Sequence, residues 1–96
     1  MDKEDELLLY SDPIRVHKIA TKLLGKENPV YLSTRKDKKY MVKSPDDKWI
    51  HFGQMKFEDF TRHKDLTRRD KFKKRNAKWA NQDKWTAGWL AYHILW

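Results

Sequence analysis

The sequence contains no cysteine. Disulfides, thiolate metal sites and a cysteine nucleophile are therefore excluded, and a reducing compartment suits the chain. No apolar run approaches the ~20 residues of a membrane span, so no membrane partner is expected. Residues 1–6 are acidic where a secretory signal would be basic, so no signal peptide is expected either. No GxGxxG, phosphate-binding loop or GxSxG pattern occurs. His17, His51, His63 and His93 show neither HxxxH nor HExxH spacing, so neither a metal nor a cofactor is expected. The carboxylate pairs Asp46–Asp47 and Glu58–Asp59 read as a turn and a helix start. A His51–Asp59 or His63–Asp65 pair would suit acid–base chemistry, but nothing in the spacing demands it. The expectation is a protein that is not an enzyme.

Acids are the scarcer charge, with 14 Asp and Glu against 22 Lys and Arg and a net charge of +8. Five of those acids stand against Lys3 alone in residues 1–12, leaving +12 on the rest. The sequence therefore reads as an acidic, flexible N-terminal segment over 1–12 joined to one basic domain over 13–96. A basic body favours a polyanion, most often nucleic acid; the plain alternative is that its charge only confers solubility. Thirteen aromatic residues, five of them Trp, argue for an ordered fold rather than a charged coil.

Periodicity predicts the elements. Asp12 and Pro13 start a helix over 13–24, with Gly25 as its C-terminal cap. Residues 30–34, 39–43 and 48–52 read as three antiparallel strands in a meander, turned at 35–38 and at Ser44–Pro45–Asp46–Asp47. Helices are expected at 56–62, 66–80 and 86–95, the last capped by Thr86. The fold class is α+β: a three-stranded antiparallel meander packed against C-terminal helices, with an N-terminal helix alongside. The expected core is Ile19, Leu23, Val42, Ile50, Phe57, Phe60, Phe72, Trp79, Trp89, Leu90 and Ile94. Most aromatics sit on periodic faces and read as core, with Tyr31 and Tyr40 as the exposed ones; exposed rings would serve as stacking platforms for bases.

Two elements carry excess cations. Residues 62–78 hold nine Lys or Arg against two Asp. On a helix, Lys71, Lys74, Arg75 and Lys78 fall in one row, with Arg68 nearby, while Phe72 and Trp79 share another face. The second is the hairpin, where Arg35, Lys36, Lys38, Lys39 and Lys43 face Asp37 alone. A cationic helix and a cationic β-ribbon on one face would clamp a nucleic-acid backbone. The ordinary alternatives are a solvated helix face and an edge strand guarded by lysines.

Three runs carry a resemblance: STRKDKKYMV at 33–42, KWIHFGQM at 48–55 and FEDFTRHKD at 57–65, closing on Ile94, Leu95 and Trp96. Over about residues 30–96 the chain resembles a family of small, uncharacterised basic proteins encoded by giant nucleocytoplasmic large DNA viruses. The resemblance implies a setting, a virion or a viral factory in the host cytoplasm, or the host nucleus. It implies no mechanism.

The expected function is non-enzymatic binding of nucleic acid, double-stranded DNA above all. The candidate contacts are Arg35, Lys36, Lys38, Lys39, Lys43, Arg68, Lys71, Lys74, Arg75 and Lys78, with a place in genome packaging or organisation. The acidic N-terminus would modulate affinity or bind a neighbouring basic body, giving self-association or contact with other virion proteins. The alternative is a structural virion component, a minor capsid or scaffold protein, whose basic faces dock on protein and whose Leu7, Leu8 and Leu9 seat in a partner.

Overall fold

Asp12 and Pro13 start their helix as the sequence predicts. The Asp12 carboxylate accepts the backbone N–H groups of Ile14 and Arg15, and Gly25, at φ +87°, ends the helix. The computed structural model describes residues 1–96. Helices α1 (Lys3–Tyr10) and α2 (Pro13–Leu24) precede strands β1 (Val30–Leu32), β2 (Lys38–Lys43) and β3 (Trp49–Gln54). Helices α3 (Phe60–His63) and α4 (Leu66–Arg75), a 3-10 turn (Ala77–Asn81), helix α5 (Ala87–Leu90) and a π-helical turn (Ala91–Leu95) complete the chain. The fold is α+β. The sheet is an antiparallel meander in the order β1-β2-β3.

Register sets the core. Val30 pairs with Val42 and Val42 with Ile50, while Leu32 pairs with Tyr40 and Tyr40 with Phe52. Val30, Tyr40, Val42 and Phe52 are buried with Val16, Ala20 and Leu24 of α2, Met55, and Leu90, Ile94 and Leu95 of the C-terminal helical turns. Each Val, Leu, Ile, Phe or Met among them contributes about 1.5–3 kcal/mol through apolar burial.

Several expectations change. Residues 3–10, expected within a flexible segment, form α1, whose N-terminus is capped by Asp2 and whose Leu7 lies in the core at 4% exposure. Lys3 ties α1 to the hairpin by donating to the carbonyls of Ser33 and Arg35. Among the expected core residues, Leu23 and Phe57 are exposed. The covered arc of α2 runs through Val16, Ala20 and Leu24, and Leu23 falls at its margin. Spacing marks a broad apolar stripe without saying which part its neighbours cover. Tyr40, expected exposed, is buried at 1%, because β2 is the central strand. The helix expected over 66–80 ends at Arg75; Asn76 leaves helical geometry and the chain tightens into the 3-10 turn.

The largest change concerns Lys39. It is 2% exposed and meets Asp59, itself 1% exposed, at 3.1 Å. Its ammonium also donates to the carbonyls of Tyr10, at 3.3 Å, and Phe57. All three ammonium protons thereby have acceptors. The other Asp59 oxygen accepts from Thr61, whose hydroxyl in turn accepts the Asp12 backbone N–H. Ser11 joins the network at 2.7 Å from the Tyr40 hydroxyl and 3.3 Å from that of Thr61. Desolvation pushes the Lys39 ammonium below its usual range, opposed by the charge of Asp59; desolvation likewise pushes the Tyr40 phenol far up. Asp59 thus balances a buried charge, and its side chain does not cap α3.

Gly53 makes room for this arrangement. At φ +82° it sits between the Tyr40–Phe52 and Lys38–Gln54 pairs. A Cβ there would lie 2.7 Å from Leu95 Cδ1 and 3.2 Å from Lys39 Cδ.

Lys39→Met would leave Asp59 as an unpaired buried carboxylate. Urea denaturation is expected to show a loss of about 3–5 kcal/mol. Lys39→Met combined with Asp59→Leu should recover part of that loss, since the stranded charge leaves with it.

Candidate functional site

Helix α4 contains no buried residue. The Asp65 carboxylate starts it by accepting the N–H groups of Thr67 and Arg68. Rings hold it to the body. Phe72 stacks on Trp96 with centroids 4.2 Å apart and planes 5° apart, and meets Trp79 edge-on at 5.9 Å. Arg69 lies 4.8 Å over Phe60, and Lys73 4.8 Å over Tyr92. Such cation–π contacts are worth about 0.5–1 kcal/mol each at exposed sites. Desolvation, with Arg69 adding to it, pushes the Lys73 ammonium below its usual range. Arg69 and Lys73 therefore serve as fasteners.

Arg68, Lys71 and Arg75 occupy a different stripe, three and four residues apart. They line a cleft of about 670 Å³ whose far wall is the open end of the β2–β3 hairpin, with Lys38, Gly53 and Gln54. Phe57, Glu58, Trp79, Gln82, Gly88, Leu95 and Trp96 complete the lining. The volume falls within the ~300–1,000 Å³ of small-ligand clefts. Four cations, Lys38, Arg68, Lys71 and Arg75, face one carboxylate, Glu58, which sits 3.7 Å from Arg68. Phe57 is 65% exposed at the rim.

The two cationic elements of the sequence thus converge, though through a subset of the residues named. Lys38, Arg68, Lys71 and Arg75 meet at the cleft. Lys39 borders it, but its ammonium is committed to Asp59 and two carbonyls and cannot serve a phosphate. Arg35 and Lys36 are exposed at the β1–β2 turn, outside the cleft lining. Lys43 is exposed at the other end of β2, 3.4 Å from Asp47 and 5.8 Å over the Trp49 ring. Lys74 is exposed and paired with Asp70 at 3.1 Å. Lys78 lies on the 3-10 turn, so the continuous row of Lys71, Lys74, Arg75 and Lys78 does not form.

Sequence reasoning weighed Phe57 and Trp79 as stacking platforms but favoured the core for them, and it missed Gln54 and Gln82 as cleft residues. One signal was available, since glycines beside large side chains mark close approach. A Cβ on Gly88 would stand 2.8 Å from Gln82 Oε1 and 2.9 Å from Trp79 Cγ, so Gly88 lets both settle against the cleft.

Residues 29–76, half of the chain, match the family of unknown function DUF5754. The chain belongs to this family. No curated protein and no solved structure matches it. The DUF5754 segment spans the whole meander, the Lys39–Asp59 pair and α4, and so includes every cation of the cleft. It ends at Asn76, so the rings of Trp79 and Trp96 lie beyond it.

His63 joins the DUF5754 segment to the C-terminal turn. Its ring stands 5.1 Å from Trp96 and 6.0 Å from Phe60. Nδ1 accepts the Asp65 N–H at 2.9 Å, while Nε2 is buried without a partner. Desolvation first, then the neighbouring Arg68, lowers its pKa. His51 is lowered likewise, by desolvation and then by Arg35 and Lys3. Protonation is therefore harder in the folded state, and the unfolded chain binds more protons below the ordinary histidine value of about 6.5. Stability is fully present above that pH and is lost as pH falls through it. Chemical denaturation at pH 7 and at pH 5.5 should show this loss, and His63→Asn should reduce it.

Proposed function

We propose that the protein is a non-enzymatic nucleic-acid-binding protein that grips the phosphate backbone with Lys38, Arg68, Lys71 and Arg75. One observation carries this reading: cations from two separate elements line a single cleft with one opposing carboxylate. Arg68 and Arg75 lie seven residues apart on α4, about 10 Å along the helix axis. That length spans about three phosphate steps of a strand at 3.4 Å each along a duplex axis. Arg35, Lys36, Lys74 and Lys78, exposed around this centre, extend the positive field that draws a polyanion in. Double-stranded DNA is the partner that the overall charge favours, with most contacts positioning the protein without reading sequence. The setting we propose, on the sequence resemblance to proteins of giant DNA viruses alone, is genome packaging or organisation in the virion or the viral factory.

A second reading, a structural virion component, rests on Leu8 and Leu9, which stand exposed on α1 beside the acids Glu4, Asp5 and Glu6. They would dock on a basic neighbour, including another copy of this chain. Removal of residues 1–12 would not test it cleanly, because it also removes Leu7 from the core and Ser11 from the buried network.

Fluorescence anisotropy with labelled duplex DNA over a salt series tests the leading reading. Four phosphate contacts predict a slope of log affinity on log salt of about −3 to −4. Lys71→Ala combined with Arg75→Ala should flatten it by about 2. Absence of binding at low salt would exclude the reading and leave the docking protein.

A further inference from the structure

We infer that the cleft is a seat for an unpaired base, so that the preferred ligand is single-stranded nucleic acid rather than duplex. This rests on the nucleic-acid reading above, but replaces the duplex that overall charge alone favours with a single strand, and names which part of the polymer enters.

Phosphates alone do not call for a cleft, because a convex cationic surface meets them as well. This protein instead places four cations, Lys38, Arg68, Lys71 and Arg75, around a concavity whose lining includes aromatic rings. Phe57 stands largely exposed at the rim, between the hairpin end and α4. Trp79 lines the same cleft, set by its edge-on contact with Phe72 and by the missing side chain of Gly88. An aromatic ring in the lining of a cleft is a contact that an occupant of the cleft can bury. A base covers such a ring with its π-face while its own phosphate stays with the cations, which is the common physics of single-strand recognition.

The polar side chains suit the same occupant. Gln54 on β3 and Gln82 after the 3-10 turn each bring an amide to the cleft. An amide both donates and accepts, so it can meet the edge of any base. Only Glu58 among the lining residues carries negative charge, and it is already beside Arg68. A paired base in a duplex has its edge and faces occupied and cannot enter a cleft of about 670 Å³. Duplex DNA can therefore use the cationic rim but not the interior. An acidic peptide would satisfy the cations and leave the rings and amides unused.

Anisotropy with a labelled 12-nucleotide oligo(dT), the RNA oligo(rU) and a duplex of the same length tests this. Wild-type protein should bind the single strands at least about tenfold more tightly than the duplex, and the two single-strand arms tell whether DNA or RNA is preferred. Phe57→Ala and Trp79→Leu should each weaken single-strand binding by roughly 5- to 150-fold, the range for one stacked base, and leave duplex binding unchanged. Phe57→Ala alters an exposed ring, so it stays informative even if Trp79→Leu disturbs α4. Lys71→Ala with Arg75→Ala should weaken all three. Equal affinity for duplex and single strand, unchanged single-strand binding in Phe57→Ala, or equal displacement of oligo(dT) by polyglutamate would each overturn the base seat while leaving the phosphate reading standing. No binding to any oligonucleotide would overturn both.

Discussion

A lysine ammonium buried at the meeting point of three chain segments organises this protein. Lys39 comes from β2, Tyr10 from the end of α1, and Phe57 and Asp59 from the link between β3 and α3. A bare ammonium there would be prohibitively costly, and a partner carboxylate alone would not offset its desolvation. Three acceptors together do, which requires the three segments to be in place at once. The backbone repeats the junction: Asp59 N–H donates to the Tyr10 carbonyl at 2.9 Å, and Met55 N–H to the Asp37 carbonyl at 3.0 Å. The segment carrying Phe57 and Glu58 is thereby fixed against the hairpin, which positions that side of the cleft.

The same constraint explains what could be read in advance. Helix α2, the three strands and the Thr86 cap derive from local rules of capping, alternation and turn chemistry, and they lie where the sequence puts them. The role of Lys39 was not legible. It sits in a run of cations on a charged hairpin, and only tertiary contact with Asp59, twenty residues on, separates it from Lys38. Tyr40 was misread for a related reason: local polarity suggested an exposed ribbon, but strand order made β2 central. The docking of α1 was hidden because its single buried anchor, Leu7, is surrounded by acids and exposed leucines.

The candidate site was legible by element and not by residue. Charge density pointed to the hairpin and to residues 62–78, and both border the cleft. Which cations remain free depends on how the others are spent. Lys3 holds carbonyls, Lys39 holds Asp59, Arg69 and Lys73 cover rings, and Lys74 faces Asp70. The formal net charge therefore overstates what a polyanion meets at any one place. The break at Asn76 removes the fourth member of the expected row and turns Trp79 towards the cleft.

The way α4 is attached has a dynamic consequence. The hairpin wall shares the hydrogen-bonded ladder and the buried network, so opening it means unfolding the domain. The helical wall contributes no buried side chain and is held by stacked rings and surface cations. Segments with few buried contacts exchange their amide protons through local openings well below the cost of global unfolding. The cleft is thus bounded by a stiff wall and a soft one, and the soft wall is held in place by Phe72 on Trp96 and by Arg69 and Lys73 over their rings.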